Sequence, residues 1–198
     1  MVVTIRPASL GDAAAIAAVQ RASWFAAYEG IIPHDIIDEF TAPDDGARMR
    51  ETFRARPWQH TIVAVADVAV ADVAVADVAV AESAPVIGYA SFGPERDVAH
   101  GSWPYQLTSA GVAGKVAELY AFYTDPRWWS TGTGRALMER VLRDTARLNF
   151  PEIVLWVLEK NTRARRFYAR AGFTADGAVN MIDGLGGVPE VRYRRPVS

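Results

Sequence analysis

Apolar and polar positions along the chain alternate with the period of a strand in some segments and of a helix in others. Val2 to Arg6 alternates at period two and stops at Pro7, which predicts an edge strand. Ser9 and Asp12 have the spacing of a helix cap, and the alanine-rich run AAAIAAVQRASWFAAY behind them predicts a helix. PHDIIDEF and PDDGARMRETFRA each open on proline and acidic residues, which predicts short helices starting at Pro33 and Pro43. Two strands are expected at about 61–66 and 86–93. The segment DVAHGSWPYQLTSAGVAG, rich in small and turn-forming residues, reads as a long loop.

Downstream the pattern is stronger. KVAELYAFYTDP reads as a strand halted by Pro126, and GTGRALMERVLRDTARL as a helix with Ala136, Leu137, Val141, Leu142 and Leu148 on its apolar side. EIVLWVL is a continuous apolar run, the mark of a strand covered on both faces. NTRARRFYARAG is a helix capped by Asn161 and ended by Gly172, and the tail FTADGAVNMIDGLGGVPEVRYRRPV reads as two strands joined by a glycine-rich turn. From residue 116 the order is strand, helix, strand, helix, strand, strand: an α/β core with a crossover, finished by a hairpin.

Residues 63–82 interrupt this order with four copies of one word, VAVAD VAVAD VAVAD VAVAE. Five residues are too few for a solenoid unit, which runs to about 20–50. At about 100° per residue the valines would wind around a helix without forming a stripe, and as one long strand the odd repeat length would throw them onto alternate faces. Removing three copies leaves HTIVAVAESAPVIGYASFGP, the pattern of a hairpin. The repeat is therefore expected to be an insertion at about 66–82 in a hairpin, where added length costs little.

Composition narrows the function classes. The chain has 198 residues, 51% hydrophobic and 22% charged, with a net charge of −2, which fits one globular domain over 1–198 and gives no general attraction for nucleic acid or an acidic membrane. It has no cysteine, which excludes disulfides, thiolate metal sites and a cysteine nucleophile. His34, His60 and His100 lack ligand spacing, so no metal site is expected. The N-terminus lacks the basic and apolar blocks of a secretory signal, and Asp67, Asp72 and Asp77 break the longest apolar stretch, so a cytoplasmic location is expected.

Two stretches carry chemistry. TGTGRALM places two glycines between a strand and a helix, where the chain turns tightly and the first helical N–H groups face outward toward an anion such as a pyrophosphate. It is neither a Walker loop nor a complete dinucleotide fingerprint. With NTRARRFYARAGF it resembles the GNAT superfamily of acetyl-CoA-dependent N-acetyltransferases. The pyrophosphate loop of that superfamily falls on Trp129, Gly132 and Gly134, with Trp129 where Arg or Gln is usual. Its motif Asn-x-x-Ala-x-x-Phe-Tyr-x-x-x-Gly-Phe is complete in Asn161, Ala164, Phe167, Tyr168, Gly172 and Phe173.

The resemblance implies a mixed α/β (α+β) fold: a mostly antiparallel central sheet of about seven strands flanked by helices, with a splayed central strand pair binding CoA. It implies transfer of an acetyl group from acetyl-CoA to a primary amine of a small molecule or peptide, by direct attack. Pantetheine would pair with backbone at Phe122, Tyr123 and Thr124, and pyrophosphate would rest on Ser130, Thr131, Gly132, Thr133, Gly134 and Arg135. Asn161 and Phe167 complete the cofactor set.

By the same resemblance Tyr168 is the acid for the leaving thiolate, and Glu118 the base for the incoming amine. A core aromatic and an Arg-paired carboxylate are the competing roles. Tyr28, Glu29 and His34 are implied on the acceptor side. Arg163, Arg166 and Arg170 share one helical face, read as a solvated basic face, as are Arg192, Arg194 and Arg195. A catalytically silent acyl-CoA-binding or sensing module is the alternative function, and a homodimer is among the implied assemblies.

Overall fold

The computed structural model describes residues 2–67, 84–96 and 116–197. The repeat beyond residue 67, with most of the expected insertion, and the expected loop with His100 lie outside them.

The described strands are β1 (Val2–Pro7), β2 (His60–Asp67), β3 (Val86–Pro94), β4 (Val116–Thr124), β5 (Glu152–Leu158), β6 (Thr174–Ile182) and β7 (Val188–Pro196). They form one sheet in the order β1-β2-β3-β4-β5-β7-β6, with β4 and β5 parallel and every other pair antiparallel. The helices are α1 (Ala13–Tyr28), α2 (His34–Phe40), α3 (Ala47–Ala55), α4 (Thr133–Arg147) and α5 (Thr162–Arg170). The architecture is the expected mixed sheet flanked by helices.

Local chemistry explains the boundaries. Asp12 Oδ2 accepts from both the backbone N–H and the hydroxyl of Ser9, at 2.7 and 2.8 Å, which closes the turn into α1. Asn161 Oδ1 accepts from the Ala164 N–H at 3.1 Å and caps α5. The third helix starts at Ala47, later than the expected Pro43, because the Asp44 carboxylate takes the N–H groups of Gly46 and Arg48 and holds the intervening residues in a turn.

Side-chain alternation divides the core between the two faces of the sheet. On one, Ala64, Phe92, Leu119, Leu155 and Val157 meet Leu137 and Val141 of α4 and Tyr168 of α5. On the other, Val63, Val65 and Tyr89 meet Ile16 and Val19 of α1, while Leu158 and Ile182 meet Trp24 of α1 and Ile37 of α2. The first VAVAD copy thus lies in β2, valines toward α1 and alanines toward α4. Both faces are buried, so the apolar character of that copy is used twice over.

At the centre the sheet opens. The β4–β5 ladder runs from Val116↔Glu152 to Leu119↔Leu155 and stops, although β4 continues to Thr124 and β5 to Leu158. Beyond that point Trp156, Val157 and Leu158 pair, among the described residues, only with β7. On its other side β4 pairs Ser91 with Ala121 but Phe92 with Leu119, leaving Tyr120 as an extra, bulged residue. Bulge and splay coincide, because the added residue bends β4 away from its parallel neighbour.

Candidate active site

A cavity of about 1120 Å³ occupies the splay. Every residue of β4 from Leu119 to Thr124 lines it, and successive strand residues point to opposite faces, so the cavity passes through the sheet from one helical layer to the other. It exceeds the roughly 300–1,000 Å³ of a single small-molecule pocket, and its two halves, one on each face of the sheet, suit two reactants.

The half on the α4–α5 side has backbone geometry and side chains that could hold an anion. Ser130 and Gly132 hold left-handed backbone, at φ 64° and 95°, just ahead of α4, a conformation that lines up successive N–H groups as an anion cradle. A Cβ on Gly132 would meet no atom within 4 Å, so the backbone there faces open space, while a Cβ on Gly134 would come to 3.4 Å from the Phe167 ring. The Thr131 hydroxyl donates to the Trp128 carbonyl oxygen at 2.8 Å and lies 2.9 Å from that of buried Thr133, so both are engaged inside the loop. Arg135, Arg163, Arg166, Arg170 and Arg195 line this half. The three α5 arginines are exposed, as a solvated face would be, and they also rim the cavity, whereas Arg192 and Arg194 pair with Asp176.

Trp129, at the position of the usual Arg or Gln, has a defined role. Its indole N–H donates to the Thr124 carbonyl oxygen at 3.0 Å, and the Arg163 guanidinium stands over its ring at 4.1 Å. The same Thr124 oxygen accepts from the Ser23 hydroxyl at 2.9 Å, so the end of β4 is tied both to the loop and to α1. Phe122 stacks on Phe167 at 5.3 Å, and Tyr168 meets both rings edge-on. Burial, reinforced by the neighbouring Tyr123 hydroxyl, pushes the Tyr168 phenol well above its ordinary value, so it stays protonated at neutral pH.

The half on the α1–α2 side is aromatic. Trp24, Tyr28, Tyr123, Ile182 and Leu185 line it, with the Tyr28 and Tyr123 hydroxyls 3.4 Å apart. Burial raises both phenols. Glu190, 6% exposed, lies here with Oε1 accepting from Asn180 Nδ2 at 2.9 Å. Tyr28 is thus brought to the cavity. Glu29 and His34 are exposed and do not line it.

Glu118 is fully buried but does not line the cavity. Its carboxylate accepts the Arg96 backbone N–H at 2.8 Å and two guanidinium N–H groups of the same residue. In this geometry it is half of a buried ion pair, the competing role weighed from the sequence. Trp24, Ser23, Arg96 and Glu190 went unpredicted. Trp24 had one signal, its i,i+4 spacing from Tyr28 on α1; Glu190, the single carboxylate of a strand with three arginines, had none.

The Acetyltransferase (GNAT) family profile matches residues 33–173. The chain belongs to this acetyltransferase family. An uncharacterized N-acetyltransferase, YuaI of Bacillus subtilis, is 28% identical over 159 residues, 80% of this chain and 73% of that protein. A mycothiol acetyltransferase from Geodermatophilus obscurus is 41% identical over only 59 residues, 30% of this chain and 19% of that protein. Among solved structures, the PaiA N-acetyltransferase of Thermoplasma acidophilum in complex with coenzyme A superposes with a TM-score of 0.65 at 18% identity, covering 97% of this chain and 98% of that one. YncA from Salmonella typhimurium, with its cofactor acetyl-CoA, gives 0.66 at 19% identity, covering 100% and 95%. At these identities the two structures share the fold with this acetyltransferase.

Proposed function

We propose that this protein transfers the acetyl group of acetyl-CoA to a primary amine by direct attack. The observation that carries this reading is the cavity through the sheet, with an anion cradle at one end and a buried carboxylate among aromatic rings at the other. The residues fit a CoA-type ligand. The left-handed loop at Ser130 and Gly132 and the α4 N-terminus would hold its pyrophosphate, and the unpaired β5-facing backbone of β4 would pair with its pantetheine as an added strand would.

Acetyl-CoA supplies an activated thioester carbonyl. The chain supplies position, with the amine entering from the α1–α2 side and the thioester from the α4–α5 side, and a backbone N–H of splayed β4 to polarise the carbonyl. Tyr168, between the halves, keeps its proton and would offer it as a hydrogen bond, and in the transition state as an acid, to the departing sulfur. Glu118 could act as base only after release from Arg96, so it is not assigned that step.

The test is thiol release from acetyl-CoA with a panel of primary amines, beside calorimetry of acetyl-CoA binding. Turnover with at least one amine is expected. Binding without release above hydrolysis would favour the silent acyl-CoA-binding module, which the engaged Glu118 would suit. The outer strand β6 leaves Val179 and Met181 exposed, so a homodimer, if formed, would pair there, which light scattering tests.

A further inference from the structure

The two halves of the cavity belong to different layers of the molecule, and one backbone oxygen joins them. The Asp125 N–H donates to the Ile87 carbonyl oxygen of β3 at 2.9 Å. In a planar trans peptide the carbonyl of the preceding residue points the opposite way, so the Thr124 oxygen faces away from β3, on the edge of β4 that has parted from β5. There it accepts twice, from the Trp129 indole N–H at 3.0 Å and from the Ser23 hydroxyl at 2.9 Å. Trp129 belongs to the loop ahead of α4, and Ser23 to α1, which packs on the other face of the sheet.

Ser23 is 2% exposed, so a hydrogen bond lost there is not replaced by one to bulk water. The next residue of α1 is Trp24, and Tyr28 follows one turn later; both line the α1–α2 half, with their rings edge-on at 5.2 Å. The Trp24 indole nitrogen is buried with no hydrogen-bond partner, so packing and the seating of α1 place that ring. A shift of α1 along β4 therefore moves the wall on which the amine would sit.

Resting on the proposed acetyl transfer, we infer that Ser23 is a positioning residue: through the shared Thr124 oxygen it sets α1, and with it Trp24 and Tyr28, against the loop that receives the CoA pyrophosphate. CoA that orders the loop steadies Trp129 and the Thr124 oxygen, and Ser23 carries that order into α1. The coupling is reciprocal, so an amine seated against Trp24 and Tyr28 tightens CoA binding by the same factor. Ser23 moves no proton in the reaction; its part is to hold the two half-sites in register.

Hydrogen–deuterium exchange of the full chain, read by mass spectrometry with and without saturating CoA, separates the loop from α1. In the wild type CoA is expected to slow exchange over 129–137 and also, by at least about threefold, over 13–28, the scale of one hydrogen bond. Ser23→Ala and Trp129→Phe each remove one donor to the shared oxygen; both should keep the slowing over 129–137 and lose it over 13–28. Exchange over 152–158, in β5, should match the wild type in both variants, which shows that they are folded. A hydroxyl with a merely structural part would change exchange in α1 equally with and without CoA. Bound CoA that leaves wild-type α1 unaffected, an α1 response that survives in either variant, or loss of the slowing over both segments in Ser23→Ala overturns the inference. A wild-type protein that binds no CoA, with neither segment slowed, overturns the proposed activity and the inference with it.

Discussion

The indole N–H of Trp129 donates to the carbonyl oxygen of Thr124 at 3.0 Å, tying the loop ahead of α4 to the last residue of the splayed strand. A hydrogen bond of this kind is worth about 0.5–1.5 kcal/mol net, and the Arg163 stack depends on the same ring. Trp129→Phe keeps a ring but removes the donor, so the dissociation constant for CoA should rise roughly 3- to 10-fold. Calorimetry checks this, and an unchanged constant would show that the loop holds its shape without the bond.

Tyr168→Phe should fold normally, because the ring packs against Phe122, Phe167 and Phe173 and only the hydroxyl is lost. The expected result is a fall in kcat of about 10²-fold, as for other positioned acids, with CoA affinity unchanged. Steady-state thiol release reads both quantities. A kcat within twofold of wild type would leave Tyr168 as a core aromatic.

Glu118→Gln separates the two roles of that carboxylate. Removing one partner of a buried ion pair costs about 3–5 kcal/mol, which in a domain of this size lowers Tm by roughly 6–20 °C. A structural pair predicts that loss with little change in rate per folded molecule. A large fall in rate at constant Tm would identify Glu118 as the base.

Acid should weaken the turn that opens α1. Hydrogen bonds from the Arg6 guanidinium, against a smaller opposing effect of burial, hold the Asp12 carboxyl at about 2. A depressed carboxyl contributes stability that is fully present above its unfolded value near 4 and is lost as pH falls through about 2. Arg6 is 40% exposed, so solvent trims the contribution to roughly 1–2 kcal/mol. Denaturant unfolding at pH 7 and pH 2 should show wild type and Asp12→Asn differing at the first pH and converging at the second.

What the amino-acid order settles is whatever neighbours in the chain decide. The Ser9–Asp12 turn, the Asn161 cap, the buried run of β5 and the left-handed Gly132 each depend on contacts within a few residues, and each is legible in the sequence. Even there a local side chain can shift a boundary, as Asp44 does at α3. Of the candidate site, the loop, Asn161, Phe167 and Tyr168 were legible as local motifs, and Tyr28, Phe122, Tyr123 and Thr124, named by the resemblance, also line the cavity. The passage through the sheet depends on where the β4–β5 ladder stops and where Tyr120 bulges, and strand register is a property of pairs of strands. Ser23 reaches Thr124 across 101 positions, and Arg96 reaches Glu118 across 22. Those contacts turned a strand carboxylate into half of an ion pair and brought Glu190 and Trp24 to the wall opposite the loop, because burial and partner choice are set where distant segments meet.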